Sequence, residues 1–308
     1  MKITNGISAM SLGTVQLGMN YGIANNAGKP SEETAFSILR TALEKGVTSL
    51  DTARGYGDSE DVIGRFLKTW QGETPFITTK ILDLQGDTAA ERERFAAKSV
   101  ETSLEKLGVS KVNAVLLHRA SDMFLHGKET ENAMKTLVKL GYTDQVGASI
   151  YSAEDIREML RYEAFTATQV PMSIFDQRLI ADGSVEELKK RDYTVFVRSV
   201  FLQGLFFLDP EQVTDPILLE HAVPGIRRLR AIAEELGLTV AQLAIAFMRD
   251  CGGVTSLVLG ADNASQVASN AAYFDTPTLD AAVVETLKKD FARVDIPAIM
   301  QVLSRPKK

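Results

Sequence analysis

Short apolar or β-branched runs alternate with amphipathic stretches along most of the chain. This alternation predicts parallel strands joined by helical crossovers, because buried parallel strands are apolar while a covering helix has one apolar face. We count eight strand-like runs, at residues 12–14, 48–51, 76–80, 114–118, 145–149, 167–172, 193–199 and 255–260. Eight parallel strands fit a closed barrel, so the sequence predicts an α/β fold of the (β/α)8 or TIM barrel type.

Two of the amphipathic stretches predict helices with identifiable ends. The first begins after Pro30 and Ser31, has apolar residues at positions 35, 38, 39, 42 and 43, and is followed by Gly46. The second is predicted over about 91–107, with apolar residues at positions 96, 100, 104 and 107 and Gly108 after it. Each helix therefore has one apolar face for the core.

The spacing between strand-like runs lengthens between the seventh and the eighth, and residues 205–254 are predicted to contain an insertion. Helical spacing of Ile226, Leu229, Ala233 and Leu236 predicts one helix there, and residues 240–248 predict another after Thr239. Residues 206–216 are predicted to form an irregular loop. The chain has no Gly/Ser-rich or Pro-rich linker, so we predict that residues 1–308 form one domain.

Composition and charge narrow the function further. The formal net charge is −6 with acidic and basic residues interleaved, which leaves no basic stripe for nucleic acid. No apolar stretch approaches the ~18 residues of a membrane span, and no signal-like segment opens the chain, so we expect a cytoplasmic protein. One cysteine, Cys251, and three histidines argue against a disulfide and against a metal site. We expect chemistry from side chains and an organic cofactor.

Four polar residues stand at the ends of predicted strands or in the loop that follows: Asp51, Tyr56, Lys80 and His118. Taken singly, each has a simpler explanation, such as a turn cap, a loop aromatic, a rim lysine or a core imidazole. Because they come from adjacent strands, they can converge at one mouth of the barrel, where such barrels carry their active sites. Together they favour a catalytic site.

The chemistry of the four residues is coherent. A free tyrosine has a pKa of ~10, and we expect the Lys80 ammonium to lower the pKa of Tyr56 toward the working range. Asp51 would hold and balance Lys80, and His118 would donate a hydrogen bond to a substrate carbonyl. This combination suits hydride transfer to a carbonyl group, with Tyr56 exchanging the proton.

Residues 51–60, which read DTARGYGDSE, together with Ile63 and Gly64, resemble the first signature of the aldo-keto reductase superfamily. Residues 77–80 (ITTK) and 116–118 (LLH) are similar to its lysine and histidine motifs, and the resemblance extends from residue 12 to residue 270. It implies that Tyr56 is the general acid/base, that Lys80 and Asp51 tune it, and that His118 orients the carbonyl.

The resemblance also implies a nicotinamide nucleotide, NADP(H) or NAD(H). Ser149 and Gln169 resemble the residues that hydrogen-bond the nicotinamide carboxamide, and Thr14 and Asp51 are also expected to bind the cofactor. The loop at the pyrophosphate is expected to contain Arg198, Ser199, Gln203 and Gly204. The adenosine segment is expected to contribute Gly260, Asp262, Gln266 and Asn270.

Three positions depart from the pattern of the superfamily. Ile150 stands where many members have asparagine, and Arg198 stands where many have a tyrosine on the nicotinamide face, although a planar guanidinium can also stack. Asp262 lies in a segment where NADP-dependent members usually have Lys or Arg, and its carboxylate would repel a 2′-phosphate. The arginines at 227, 228 and 230 are alternative phosphate ligands, so the preference between NADP(H) and NAD(H) stays open.

The sequence thus predicts an oxidoreductase that transfers a hydride between nicotinamide and an aldehyde, ketone or sugar-like carbonyl or hydroxyl compound. One alternative is a non-catalytic barrel that binds the nucleotide as a regulatory sensor. Another is a cofactor-free lyase or isomerase that uses Lys80 as a Schiff base, against which Tyr56 and the nucleotide motifs argue. Aromatic residues that are candidates for a substrate pocket are Tyr21, Trp70, Phe124, Tyr151, Phe175 and Phe201.

Overall fold

The computed structural model describes residues 1–23, 25 and 28–305. It begins with an antiparallel hairpin of β1 (Ile3–Thr4) and β2 (Ile7–Ser8). The turn contains Asn5 and Gly6, whose φ angles are 50° and 80°, in the left-handed region that favours Gly and tolerates Asn. The sequence does not predict this hairpin, because two-residue strands are too short to show an alternating pattern.

Eight parallel strands form a closed barrel, as the sequence predicts. They are β3 (Met10–Gly13), β4 (Ser49–Asp51), β5 (Phe76–Ile81), β6 (Val112–Leu117), β7 (Thr143–Ser149), β8 (Phe165–Pro171), β9 (Thr194–Arg198) and β10 (Ser256–Leu259). The order around the barrel is β10-β3-β4-β5-β6-β7-β8-β9, so neighbours in sequence are neighbours in space. The (β/α)8 class is therefore confirmed, and all C-terminal strand ends meet at one mouth.

Helices connect successive barrel strands. Before β9 they are α1 (Val15–Gly18), α2 (Glu32–Glu44), α3 (Ser59–Leu67), α4 (Ala89–Leu107), α5 (Ser121–His126), α6 (Lys128–Lys139), α7 (Ala153–Met159), α8 (Arg178–Ala181) and α9 (Ser184–Lys190). After β10 the chain forms α13 (Ala264–Tyr273), α14 (Ala281–Phe291) and α15 (Ile296–Leu303).

The two predicted helices with identifiable ends are both confirmed. Ser31 caps α2 by accepting a hydrogen bond from the backbone of Thr34. Thr88 and Glu91 form a capping box at the start of α4, which places the start of the helix slightly before the prediction. Gly108 ends α4 in the left-handed conformation. The predicted apolar positions 96, 100, 104 and 107 of α4 are buried.

The insertion between β9 and β10 is also confirmed. It contains a 3-10 helix (Leu202–Phe207), α10 (Pro216–His221), α11 (Val223–Glu235) and α12 (Val240–Asp250). The predicted loop is shorter than expected, because its first residues belong to the 3-10 helix and Pro216 begins α10. Within the described ranges no single helix is long and apolar enough to cross a membrane; α11 and α12 reach that length only together, across a bend of 89°.

Candidate active site

Asp51, Tyr56 and Lys80 converge at the mouth of the barrel. The Lys80 Nζ donates to Asp51 Oδ1 at 2.6 Å and lies 3.3 Å from the Tyr56 hydroxyl. Asp51 Oδ1 accepts a second hydrogen bond from Gln169 Nε2 at 2.8 Å. Lys80 is fully buried in β5 and also donates to the Thr52 carbonyl at 3.1 Å. The buried ammonium therefore has a carboxylate, a carbonyl and the tyrosine hydroxyl around it.

A close backbone approach holds the loop that contains Tyr56. A Cβ at Gly18 in α1 would lie 1.8 Å from the Tyr56 carbonyl oxygen, and one at Gly57 would lie 2.3 Å from the Gly18 carbonyl oxygen. Glycine at both positions lets α1 and the loop touch. Ser59 adds a hydrogen bond from its hydroxyl to the Thr14 hydroxyl at 2.8 Å. The position of Tyr56 is thus set by main-chain packing.

The electrostatics correct one expectation from the sequence. Burial raises the pKa of Tyr56 above its ordinary value of 10, and the Asp51 carboxylate raises it further. The expected lowering of the Tyr56 pKa by Lys80 is therefore wrong, because burial of the hydroxyl has the larger effect and Asp51 at 2.6 Å balances the Lys80 charge. Burial also lowers the pKa of Lys80, although Asp51 opposes this change. At neutral pH the phenol keeps its proton and can donate it.

His118 lies directly after β6 and packs its ring edge-on against Tyr56, with ring centroids 5.5 Å apart. Burial lowers its pKa from 6.5 to about 4, and the charge of Lys80 contributes to the decrease. Its Nδ1 is buried without a hydrogen-bond partner among the described residues. A Cβ at Gly55 would lie 3.3 Å from this Nδ1, so the absence of a side chain at Gly55 leaves room for the imidazole. The imidazole is neutral at physiological pH.

A cavity of about 490 Å³ begins at this cluster. At the barrel mouth it is lined by Thr14, Asp51, Tyr56, Gln169 and Arg198. Lys80, His118 and Ser149 do not line it: Lys80 and His118 contact Tyr56 instead, while Ser149 is buried at the end of β7 beside Gln169. The structure thus brings most, but not all, of the predicted residues of this end to one space.

The loop after β9 forms one wall of the cavity and has an unusual backbone. Ser199, Gln203 and Gly204 line the cavity, and all three have positive φ angles, of 65°, 57° and 94°. Such angles cost free energy for residues other than glycine and are common at ligand sites. The Gln203 carbonyl accepts a hydrogen bond from the Ile23 backbone at 3.0 Å, which connects the loop to the segment after β3.

The far end of the cavity is formed by the segment after β10 and by α13. Gly260, Asp262, Gln266 and Asn270 line it, and the Asp262 backbone N–H donates to Gln266 Oε1 at 2.8 Å. Among the described residues, the lining at this end contains no lysine or arginine. The three arginines on α11 that were candidate phosphate ligands lie outside the cavity lining. Their side chains donate to other partners: Arg227 to Glu211, Arg228 to Asp290 and Arg230 to the Leu208 carbonyl.

Comparison with known proteins identifies the family. A model of the aldo/keto reductase family matches residues 9–290, nearly the whole chain. The chain belongs to the aldo/keto reductase family. The reductase is therefore an NAD(P)-dependent oxidoreductase, as the sequence predicts.

Several individual proteins are similar to the reductase. An L-glyceraldehyde 3-phosphate reductase from Escherichia coli K12 is 24% identical over 301 residues, which cover 86% of this chain and 85% of the relative. A glycerol dehydrogenase from Gluconobacter oxydans has a similar structure, with a TM-score of 0.77, 21% identity and coverage of 100% and 97% of the two chains. An aldo/keto reductase from Klebsiella pneumoniae, solved with NADP and acetate, has a TM-score of 0.70, 22% identity and 92% coverage of both chains.

The cavity of the reductase fits a nicotinamide nucleotide in size and chemistry. Ligand pockets in proteins typically enclose ~300–1,000 Å³, a range that includes this cavity. Gln16 lines the cavity, and its Oε1 is buried without a partner among the described residues. A Cβ at Gly260 would lie 2.3 Å from the Gln16 amide nitrogen, so glycine at this position leaves room for the Gln16 side chain. Gln16 is a polar lining residue that the sequence does not predict.

Other lining residues that the sequence does not single out lie on α13: Ser265, Ser269 and Tyr273. Each of them follows Asp262, Gln266 or Asn270 by three residues, so they lie on the same face of the helix. This spacing could have predicted them from the sequence. Of the candidate pocket aromatics, Tyr21 and Phe201 line the cavity. Trp70 and Phe175 do not, because Trp70 stacks on Phe66 and Phe175 stacks on Phe291.

Proposed function

We propose that the reductase converts small aldehydes, ketones or sugar-like carbonyl compounds to alcohols with NADPH or NADH, and that Tyr56 is its proton donor. One observation carries this proposal. Tyr56 lines a cavity of nucleotide size, and its hydroxyl lies 3.3 Å from the buried ammonium of Lys80. A protonated phenol beside a fixed positive charge suits proton donation to a carbonyl oxygen.

The residues have separate parts in the reaction. When bound, the reduced nicotinamide supplies a hydride to the carbonyl carbon. Tyr56 donates its hydroxyl proton to the carbonyl oxygen as negative charge develops there. Because its pKa is raised by burial, Tyr56 is protonated before the reaction. The Lys80 ammonium at 3.3 Å then stabilises the phenolate that remains.

Asp51 and Gln169 position the lysine. Asp51 Oδ1 accepts from both Lys80 Nζ and Gln169 Nε2, which holds the carboxylate between two donors. The phenolate regains its proton from water that enters the cavity when the product leaves, because burial keeps the pKa of Tyr56 above its ordinary value.

His118 orients the carbonyl group. Its pKa of about 4 keeps the imidazole neutral at physiological pH. A neutral imidazole donates one hydrogen bond and does not add a second positive charge beside Lys80. The contact of the imidazole with the Tyr56 ring, whose centroid is 5.5 Å away, supports a role for His118 next to the proton donor.

The E. coli relative is named for the reduction of L-glyceraldehyde 3-phosphate, a short hydroxylated aldehyde. This supports short hydroxylated carbonyl compounds as the first substrates to test. The similarity is 24% identity, and substrate pockets in such barrels are built from variable loops. The proposal therefore names this substrate class and no single compound.

The test is oxidation of NADH and NADPH in the presence of a panel of short aldehydes, ketones and aldoses. We expect turnover by the wild type and a loss of roughly a hundredfold or more in Tyr56→Phe, with nucleotide affinity nearly unchanged. The matched control is Tyr142→Phe, which removes a hydroxyl that donates to Glu101 near the opposite end of the barrel. Near-normal turnover in Tyr56→Phe would remove Tyr56 from the mechanism. Nucleotide binding without turnover of any compound would favour a sensor.

A further inference from the structure

Arg198 is an exception among the basic residues of the described part of the chain. Every other lysine or arginine there that is not exposed forms an ion pair with a carboxylate. Arg198 is partly buried at the end of β9, and no carboxylate of a described residue lies at ion-pair distance from it. A partly desolvated cation without a counterion is costly, and such groups are commonly found where a charged ligand binds.

The contacts of Arg198 orient its guanidinium without neutralising it. The guanidinium carbon lies 4.3 Å from the centroid of the Tyr151 ring, which supports one face of the group. Nη1 and Nη2 lie 3.4 Å from the Ser199 hydroxyl and the Ile150 carbonyl, at the long limit of a hydrogen bond. A guanidinium has five N–H donors, so most of its donor capacity is left for a ligand.

The position of Arg198 is at the reacting end of the cavity. It lines the cavity together with Tyr21 and Tyr56. Its charge lowers the pKa values of Tyr56, Lys80 and His118, although burial has the larger effect on each. Burial raises the pKa of Tyr21 to about 12, and the Arg198 charge acts in the opposite direction. The charge of Arg198 therefore acts on Tyr56, Lys80 and His118 together.

The charges at the barrel mouth do not cancel. Asp51 and Lys80 neutralise each other at 2.6 Å, and His118 is neutral because its pKa is about 4. Arg198 then leaves one positive charge in excess. Bidentate contact with a carboxylate or a phosphate is the interaction for which a guanidinium is best suited.

We propose that Arg198, supported by the Tyr151 ring, recognises a negatively charged group on the carbonyl substrate, so that the preferred substrates are aldehydes or ketones bearing a carboxylate or a phosphate. This inference rests on the proposed reductase function. It assigns the Arg198 guanidinium to binding of the substrate and not of the nucleotide, because a ribose separates the nicotinamide ring from the nucleotide phosphates. A cation beside Tyr56 thus faces the reacting compound.

The experiment compares carbonyl compounds that differ only in charge. One pair is para-carboxybenzaldehyde and its methyl ester, and the other is the phosphate ester of glyceraldehyde and glyceraldehyde itself. The measured quantity is the ratio of kcat/KM for the charged compound to kcat/KM for the neutral one. We expect Arg198→Met to lower this ratio at least tenfold in one or both pairs, and Arg198→Lys to restore part of it. The pair that responds distinguishes carboxylate from phosphate.

The control is Arg157→Met, which removes the charge of an exposed arginine on α7. This variant should keep the wild-type ratio. Calorimetric titration of the protein saturated with oxidised nucleotide, which has no hydride to transfer to these compounds, makes the comparison without turnover. A lack of turnover with all compounds would therefore count against the reductase function alone. An unchanged ratio and unchanged relative binding in Arg198→Met would overturn the inference. Weaker nucleotide binding in the same variant would then assign Arg198 to the nucleotide.

Discussion

The Lys80 ammonium lies 3.3 Å from the Tyr56 hydroxyl and has Asp51 as its carboxylate partner at 2.6 Å. Lys80 is fully buried and Asp51 is 3% exposed, so the ion pair is almost completely shielded from bulk water. The lysine thus links the proposed proton donor to the carboxylate that balances the lysine charge. We therefore expect loss of the lysine to affect both catalysis and stability.

We expect Lys80→Met to lower kcat/KM about as much as Tyr56→Phe, and the double variant to lose little more than either, because residues that act as one unit are not additive. Asp51 would be left as a buried carboxylate without its ion-pair partner, which costs roughly 3–5 kcal/mol of stability. Urea unfolding of the same variants measures this cost. Strictly additive losses of activity would show that Lys80 and Tyr56 act separately.

Asp262 offers a test of nucleotide preference. The far end of the cavity contains an acid and, among the described residues, no base, which favours the ribose hydroxyls of NADH over the 2′-phosphate of NADPH. We expect Asp262→Arg to raise the preference for NADPH at least tenfold, about 1.4 kcal/mol of differential binding. Fluorescence titration with both reduced nucleotides measures the change.

The control for this prediction is Asp275→Arg, which makes the same change of charge at an exposed position just after α13, outside the cavity lining. Its nucleotide preference should equal that of the wild type. If Asp262→Arg also leaves the relative affinities unchanged, Asp262 does not face the 2′ position.

His118 makes stability dependent on pH. Its pKa is lowered from 6.5 to about 4 in the folded protein, so below pH 6.5 the unfolded chain takes up a proton that the folded one refuses. Stability is therefore lost as pH falls from 6.5 toward 4. Between pH 7 and pH 4.5 we expect His118→Gln to lose roughly 2 kcal/mol less than the wild type. Denaturant unfolding at both pH values measures this, with His126→Gln on α5 as the control. Equal losses in His118→Gln and the wild type would contradict the prediction.

Much of the site could be predicted because its signals are local. Tyr56 stands in a ten-residue signature, and Lys80 and His118 follow apolar strand runs, so neighbouring residues identify them. Gln16 carries no such signal, because its isolated amide becomes a cavity wall only when Gly260 approaches it. The part of the cavity lining on α13 is intermediate, since its helical spacing is visible once one residue of that face is known.

By itself the sequence determined the eight barrel strands and the identity of the catalytic candidates, because apolar periodicity and short motifs depend on residues close together in the chain. The tertiary structure alone decided which groups touch. It joins Gln169 to Asp51, 118 residues away in sequence, and it places Arg198 over the Tyr151 ring with no carboxylate of a described residue as its ion-pair partner. It also decided the direction of the Tyr56 pKa shift, because desolvation depends on every atom packed around the hydroxyl and not on the nearest charge.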